Sequence, residues 1–269
     1  MSVVVGVDGS QESWAALSWA GDAARQRSTG LTVVIAEHDL APHEDGADTS
    51  PESVAVRASE LEPTAAVRVV AGTAEEVLTA AAEDADLVVI GSRGLSRIRA
   101  LISDSVAEDL LGRLDTPLVL VRQPAAADTG RVVVGVDEKT GTQVLTFAFA
   151  EAQRRGADLR VVSTWERQIL NTIGANAFAN DDISASVEAE LEAMLIPFQE
   201  QYPSVTVTTL VEFGDPAASL AQESLTADLV VVGAHGQSGL LRILTGSTTQ
   251  DVIHLVTTPV AVISVSDRA

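Results

Sequence analysis

The chain has 269 residues, of which 46% are hydrophobic, 20% charged and only 3% aromatic, and its formal net charge is −21. It contains no cysteine, which excludes disulfides, zinc-thiolate centres and thiol nucleophiles. The acid excess opposes nucleic acid or an anionic membrane surface as a general partner, because like charges repel at long range. The N-terminus has no basic region ahead of its first apolar run, and no apolar run approaches the ~18 residues of a membrane span. A soluble cytoplasmic protein is therefore expected. Lys139 is the only lysine, so the basic side is almost entirely arginine; a GC-rich genome or a salt-adapted proteome would each produce this bias.

In chain order, the Val/Ile/Leu runs predict strands near 2–7, 31–36, 67–71, 86–91 and 117–121. Amphipathic segments near 11–27, 52–61, 74–84 and 105–114 predict helices between them. The polar run from Pro42 to Asp48 reads as a loop. The pattern then begins again. Val-Val-Val-Gly-Val-Asp at 3–8 recurs at 132–137, and Asp-Leu-Val-Val-Ile-Gly at 86–91 returns as Asp-Leu-Val-Val-Val-Gly at 228–233. Thr116-Pro117 returns as Thr258-Pro259. The chain is two copies of one domain, residues 1–123 and 131–269, with a Pro/Ala/Gly linker at 124–130. The offset is 128 between Leu31 and Leu159 but 142 between Gly72 and Gly214, so the second copy has 14 more residues between its second and third strands. A long helix from Asp182 to Gln201 accounts for them, with Ile183, Val187, Leu191, Met194, Leu195 and Phe198 on one stripe. Continuous apolar strands alternating with helices predict a doubly wound, five-stranded parallel sheet in each copy. Ligands of such sheets bind at the C-terminal strand ends.

Candidate binding residues stand at those ends. The first strand closes on Asp8 in one copy and Asp137 in the other. Such a carboxylate either accepts hydrogen bonds from a base or ribose or serves the loop and helix cap. The fourth strand runs into Gly91-Ser92-Arg93-Gly94 and Gly233-Ala234-His235-Gly236. Paired glycines let the backbone turn sharply and present N–H groups. In the second copy, Gly246-Ser247-Thr248-Thr249 follows and opens a helix over 247–256. A glycine and a hydroxyl-rich helix N-terminus suit a phosphate, and His235 lies inside the glycine loop. A capped helix without a ligand is the bland alternative. At the third glycine the first copy has Asp104, followed by Ser105, which sets a like charge against a phosphate. Arg93, Arg97 and Arg99 either clamp phosphate oxygens or balance Asp104. The second copy replaces Gly9-Ser10 by Glu138-Lys139.

Taken together, Val-Gly-Val-Asp-Gly-Ser at 5–10, Asp-Leu-Val-Val-Val-Gly-Ala-His-Gly at 228–236, Gly246-Ser247 and Thr-Thr-Pro-Val-Ala-Val-Ile at 257–263 resemble the universal stress protein family in its tandem form. The resemblance covers about residues 3–265. It implies an adenine nucleotide α-hydrolase-like fold and an ATP site. In the second copy that site is Asp137 at adenine, Thr164 beside the base, and Gly233, His235, Gly236, Gly246, Ser247 and Thr248 at ribose and phosphates. In the first copy the matching residues are Asp8, Gly91, Gly94 and Ser105. Asp104 makes weak or no binding the expectation there, and the bulk negative charge makes Mg2+ the candidate counter-ion in the second copy. Family members pair through the last strand, which implies an intrachain pseudo-twofold dimer of the two copies and allows a homodimer of the chain.

No hydrolytic constellation is visible. The phosphate loop with its lysine, Gly-x-Gly-x-x-Gly and the nucleophile elbow are all absent, and the aspartates show no metal-ligand spacing. The expectation is an ATP-binding regulatory module for stress or dormancy with an unidentified protein partner, and at most slow ATPase activity. A nucleotide-free interaction protein of the same fold is the alternative. A nucleotidyl transferase would need His-x-Gly-His or Ser-Gly-Gly-x-Asp-Ser, and neither occurs.

Overall fold

The inner Val/Ile/Leu runs form strands with both faces covered. Leu87, Val88 and Val89 are consecutive, point alternately to opposite sides and are each 0% exposed, which only a sheet with helices on both faces allows. The computed structural model of the chain describes residues 2–40, 50–91, 110, 114–122, 129–137, 140–165, 180–235 and 247–265, with backbone alone at 165, 180–184, 235, 247, 248 and 250. They form two compact units. The predicted helix at 105–114, the loop at 42–48 and most of the linker lie outside the described residues.

The first unit holds β1 (Ser2–Gly6), α1 (Gln11–Arg27), β2 (Gly30–Ala36), α2 (Pro51–Leu61), β3 (Ala66–Val70), α3 (Ala74–Ala82), β4 (Leu87–Gly91) and β5 (Leu118–Val121). Strand order is β3-β2-β1-β4-β5, with every pair parallel. The second unit holds β6 (Arg131–Val136), α4 (Thr142–Arg155), β7 (Asp158–Trp165), α5 (Asn180–Gln201), β8 (Val207–Phe213), α6 (Pro216–Ser224), most of β9 (Leu229–His235) and α7 (Ser247–Leu255). Its strand order is β9-β6-β7-β8, again parallel. The last strand, β10 (Val260–Val265), ends the second sequence copy but belongs to the first unit. There it runs antiparallel to β5, with Val260 opposite Leu120 and Val262 opposite Leu118.

The repeated sequence has a packing reason. A Cβ on Gly6 would lie 3.1 Å from Leu78 Cδ1, and one on Gly135 would lie 2.8 Å from Leu220 Cδ1. Each first strand admits a leucine of the third helix where its own side chain is missing. The predicted stripe on α5 is confirmed in its C-terminal half, where Leu191, Leu195 and Phe198 are buried. Phe198 and Tyr202 both stack on Phe149 of α4, at 5.5 and 5.6 Å between ring centroids.

Candidate functional site

Right-handed crossovers carry the C-terminal ends of the parallel strands to one edge of each sheet. In the first unit that edge holds Asp8 and Gly91. Asp8 is half-buried, and its Oδ1 accepts hydrogen bonds from the Ser10 N–H at 2.9 Å and the Ser10 hydroxyl at 2.5 Å. Ser10 is the N-cap of α1, where its side chain accepts from the Ser13 N–H. Gly9 between them has φ +85°, a left-handed conformation that favours glycine. The Gly9 carbonyl accepts from the Trp14 indole at 3.0 Å, and the Arg57 guanidinium lies 4.6 Å from the Trp14 ring centroid. Asp8 is thus engaged by the turn that launches α1. Gly91 ends β4 against the same turn: a Cβ there would lie 2.7 Å from Glu12 C and Ser13 N. Close approach of β4 to the helix start therefore requires glycine.

The second unit departs from this at the first strand. Asp137 is exposed, its N–H donates to Thr140 Oγ1 at 2.7 Å, and its Oδ1 accepts from the same hydroxyl at 2.8 Å. The counterpart of Ser10 is Lys139, which cannot cap a helix. α4 begins at Thr142, two places later than the repeat would set it, on Gly141 with no side-chain cap. Thr164 is half-buried on β7, opposite Glu212 of β8. Gly233 lies on β9, and its carbonyl accepts from the buried Thr249 hydroxyl at 3.0 Å. Thr249 sits in the first turn of α7, which starts at Ser247, so the end of β9 and the start of α7 are tied together.

Gly94, Ser105, Gly236 and Gly246 lie outside the described residues, as do Asp104, Arg93, Arg97, Arg99, Glu138 and Lys139. The side chains of His235, Ser247 and Thr248 also lie outside them. Two contributors escaped the sequence reading. Thr140 was hidden behind the unmatched Glu138-Lys139 pair. Thr249 was visible only as the last hydroxyl of Ser247-Thr248-Thr249. Among the described residues no three His, Asp or Glu side chains gather as metal ligands would, and no helix is long and apolar enough to cross a membrane.

The profile of the Universal stress protein family matches residues 1–122 and 129–264. The chain belongs to the universal stress protein family. Its two matched segments are two universal stress protein domains in tandem. Universal stress protein Rv2005c of Mycobacterium tuberculosis is 32% identical over 285 residues, covering 97% of this chain and 96% of the relative. Universal stress protein Rv2623 of the same organism is 30% identical over 289 residues, with 97% and 96% covered. In fold, a universal stress protein from Archaeoglobus fulgidus superposes with TM-score 0.69 at 20% identity, covering 100% of this chain and 97% of the other. The tandem organisation is thus shared along almost the whole length of these universal stress proteins.

Proposed function

We propose that this tandem universal stress protein is an ATP-binding regulatory module of stress or dormancy, with its nucleotide site mainly in the second domain. In this reading the domains are residues 1–123 and 131–269, joined by the linker 124–130. The observation that carries it is the hydrogen bond from Thr249 to the Gly233 carbonyl. It ties together the two ends of Gly-x2-Gly-x9-Gly-Ser, the segment from Gly233 to Ser247 that would wrap ribose and phosphates. Asp137 would accept from the adenine amino group, and Thr164 would pack beside the base. Gly233, Gly236 and Gly246 would let phosphate oxygens approach backbone N–H groups. Ser247 and Thr248 stand in the first turn of α7, where hydroxyls and the positive end of the helix dipole favour an anion. His235 would border the phosphates, and Mg2+ would offset the nucleotide's charge in a protein of net charge −21.

The first domain is the weaker site in this reading. Asp104 stands at its third-glycine position ahead of Ser105, whereas Asp8 and Asp137 do not distinguish the domains, since each carboxylate accepts from a hydroxyl of the following turn, Ser10 and Thr140. Gly91 and Gly94 alone would leave the phosphates with a like charge beside them, a repulsion on the order of 1 kcal/mol or more in a half-buried setting. Nucleotide occupancy would alter binding of a protein partner, and efficient hydrolysis forms no part of the function. Isothermal titration of ATP with Mg2+ into the wild type and Gly246→Asp tests the assignment. One tight site should be seen in the wild type and lost in the variant. Unchanged stoichiometry and affinity would move the site elsewhere.

A further inference from the structure

Three elements meet at one end of the second unit in a way the first unit does not repeat. On the parallel strands β7 and β8, Thr164 stands opposite Glu212, and partners in register project to the same face of a sheet. That face is the one α6 covers, because the Glu212 carboxylate accepts a hydrogen bond from the Ser219 hydroxyl of α6. Arg160, on the same face of β7, reaches the same helix through Glu223 at 3.0 Å. Asp137 follows Val136, whose register partner is Ser163, so the chain leaves β6 level with Thr164. Asp137, Thr164 and Glu212 thus form a row across the C-terminal ends of three neighbouring strands.

The first unit builds the outer part of this row from apolar residues. Its register sets Ala36 opposite Val70, the counterparts of Thr164 and Glu212 at the repeat offsets of 128 and 142. At the offset of 142, Ser219 corresponds to Val77, which is buried on α3. Ala36, Val70 and Val77 therefore become Thr164, Glu212 and Ser219, and three positions on three elements change from apolar to polar together. The same fold closes with valine at the glutamate position, so packing alone does not call for a carboxylate there. Ser219 holds Glu212 through Oε1, and among the described residues nothing donates to Oε2. A carboxylate only accepts, so what this one selects in a ligand is an N–H or O–H donor.

We propose that Glu212 is a specificity residue of the second-domain site, where it and Asp137 accept the two N–H bonds of an exocyclic amino group on a purine base. The inference rests on the ATP site proposed above and names what that site discriminates. Asp137 takes one hydrogen of the amino group and Glu212 the other, with Thr164 between them beside the ring. An oxo group in the same place is an acceptor facing two carboxylates, which leaves both without a donor and repels. Val70 offers no acceptor, so the first domain lacks this means of telling the two bases apart.

Isothermal titration of the full chain compares ATP, 2′-deoxy-ATP and ITP, which carries an oxo group in place of the amino group, each with Mg2+. The wild type should bind ATP about a hundredfold more tightly than ITP. The double variant Glu212→Val, Ser219→Val installs the first domain's pair and should lose about tenfold of that preference through weaker ATP. In Glu212→Gln the amide oxygen accepts from Ser219 and the amide N–H groups face the base, so affinity for ITP should rise. An ATP-to-ITP ratio unchanged in both variants overturns the proposal and leaves the ATP site standing. A change in the preference for ATP over 2′-deoxy-ATP instead assigns Glu212 to the ribose and also overturns it. A wild type that binds no ATP removes this inference together with the reading it rests on.

Discussion

Gly91 illustrates how much one absent side chain positions. Its place in the sequence, at the end of an apolar run and three residues before Gly94, suggested a turn presenting N–H groups to a ligand. The structure adds a packing role, since the space a Cβ would take is held by the backbone of Glu12 and Ser13. Backbone cannot swing aside as a side-chain tip can. Gly91→Ala should therefore destabilise the protein by about 1–3 kcal/mol, the range for forced overpacking, read as a lower urea midpoint. Gly135→Ala is the milder comparison, because its neighbour is the tip of Leu220, which has other rotamers. If both substitutions cost the same, the backbone contact at Gly91 is not what makes glycine necessary there.

At the scale of elements, the helix starts carry the difference between the domains. α1 begins on Ser10, α3 on a reciprocal Thr73–Glu76 capping box, and α6 on Asp215 with Pro216 at its first position, all legible as cap signals. α4 has no such signal and starts late on Gly141. α7 starts at Ser247 as its hydroxyl run predicts, but its anchorage to β9 through Thr249 could not be read, because the bond joins residues 16 apart through a turn that composition alone does not shape. Thr249→Val keeps shape and removes the bond. It should cost about 1–2 kcal/mol for the lost bond and the carbonyl left without it, measured by chemical denaturation, and should weaken ATP about tenfold in titration. A loss of stability with unchanged affinity would separate the tether from the nucleotide site. Strand positions were legible to within a residue or so, because burial on both faces leaves an unbroken apolar run. The candidate site was legible only as motifs at strand ends, while the partners of Asp8 and Asp137 depended on turns whose sequences differ between the copies.

At the scale of the whole molecule, sequence copy and structural unit do not coincide. The second copy begins firmly in the second unit: the Asp228 carboxylate accepts from the N–H groups of Thr129, Gly130 and Arg131 at 2.6, 2.8 and 3.1 Å and from the Thr129 hydroxyl at 2.8 Å. It ends in the first, where β10 covers β5. Both strands are buried, with Leu118 at 1%, Val119 at 0% and Val262 at 2% exposure. Without β10, β5 would present four consecutive apolar residues along an open edge, an aggregation hazard. β10 thus completes the core that β1 to β5 begin, so the stability of the first unit depends on it. Val262→Asp places a charge opposite Leu118 and should cost roughly 3–4 kcal/mol, as for a buried carboxylate without a partner. Hydrogen exchange locates that cost. Amides of Leu118–Val121 should exchange faster in the variant while those of Val207–Phe213 keep their protection. Equal acceleration in both would mean that the two units unfold as one, and that the dependence runs through the entire protein rather than through the strand that crosses between them in sequence.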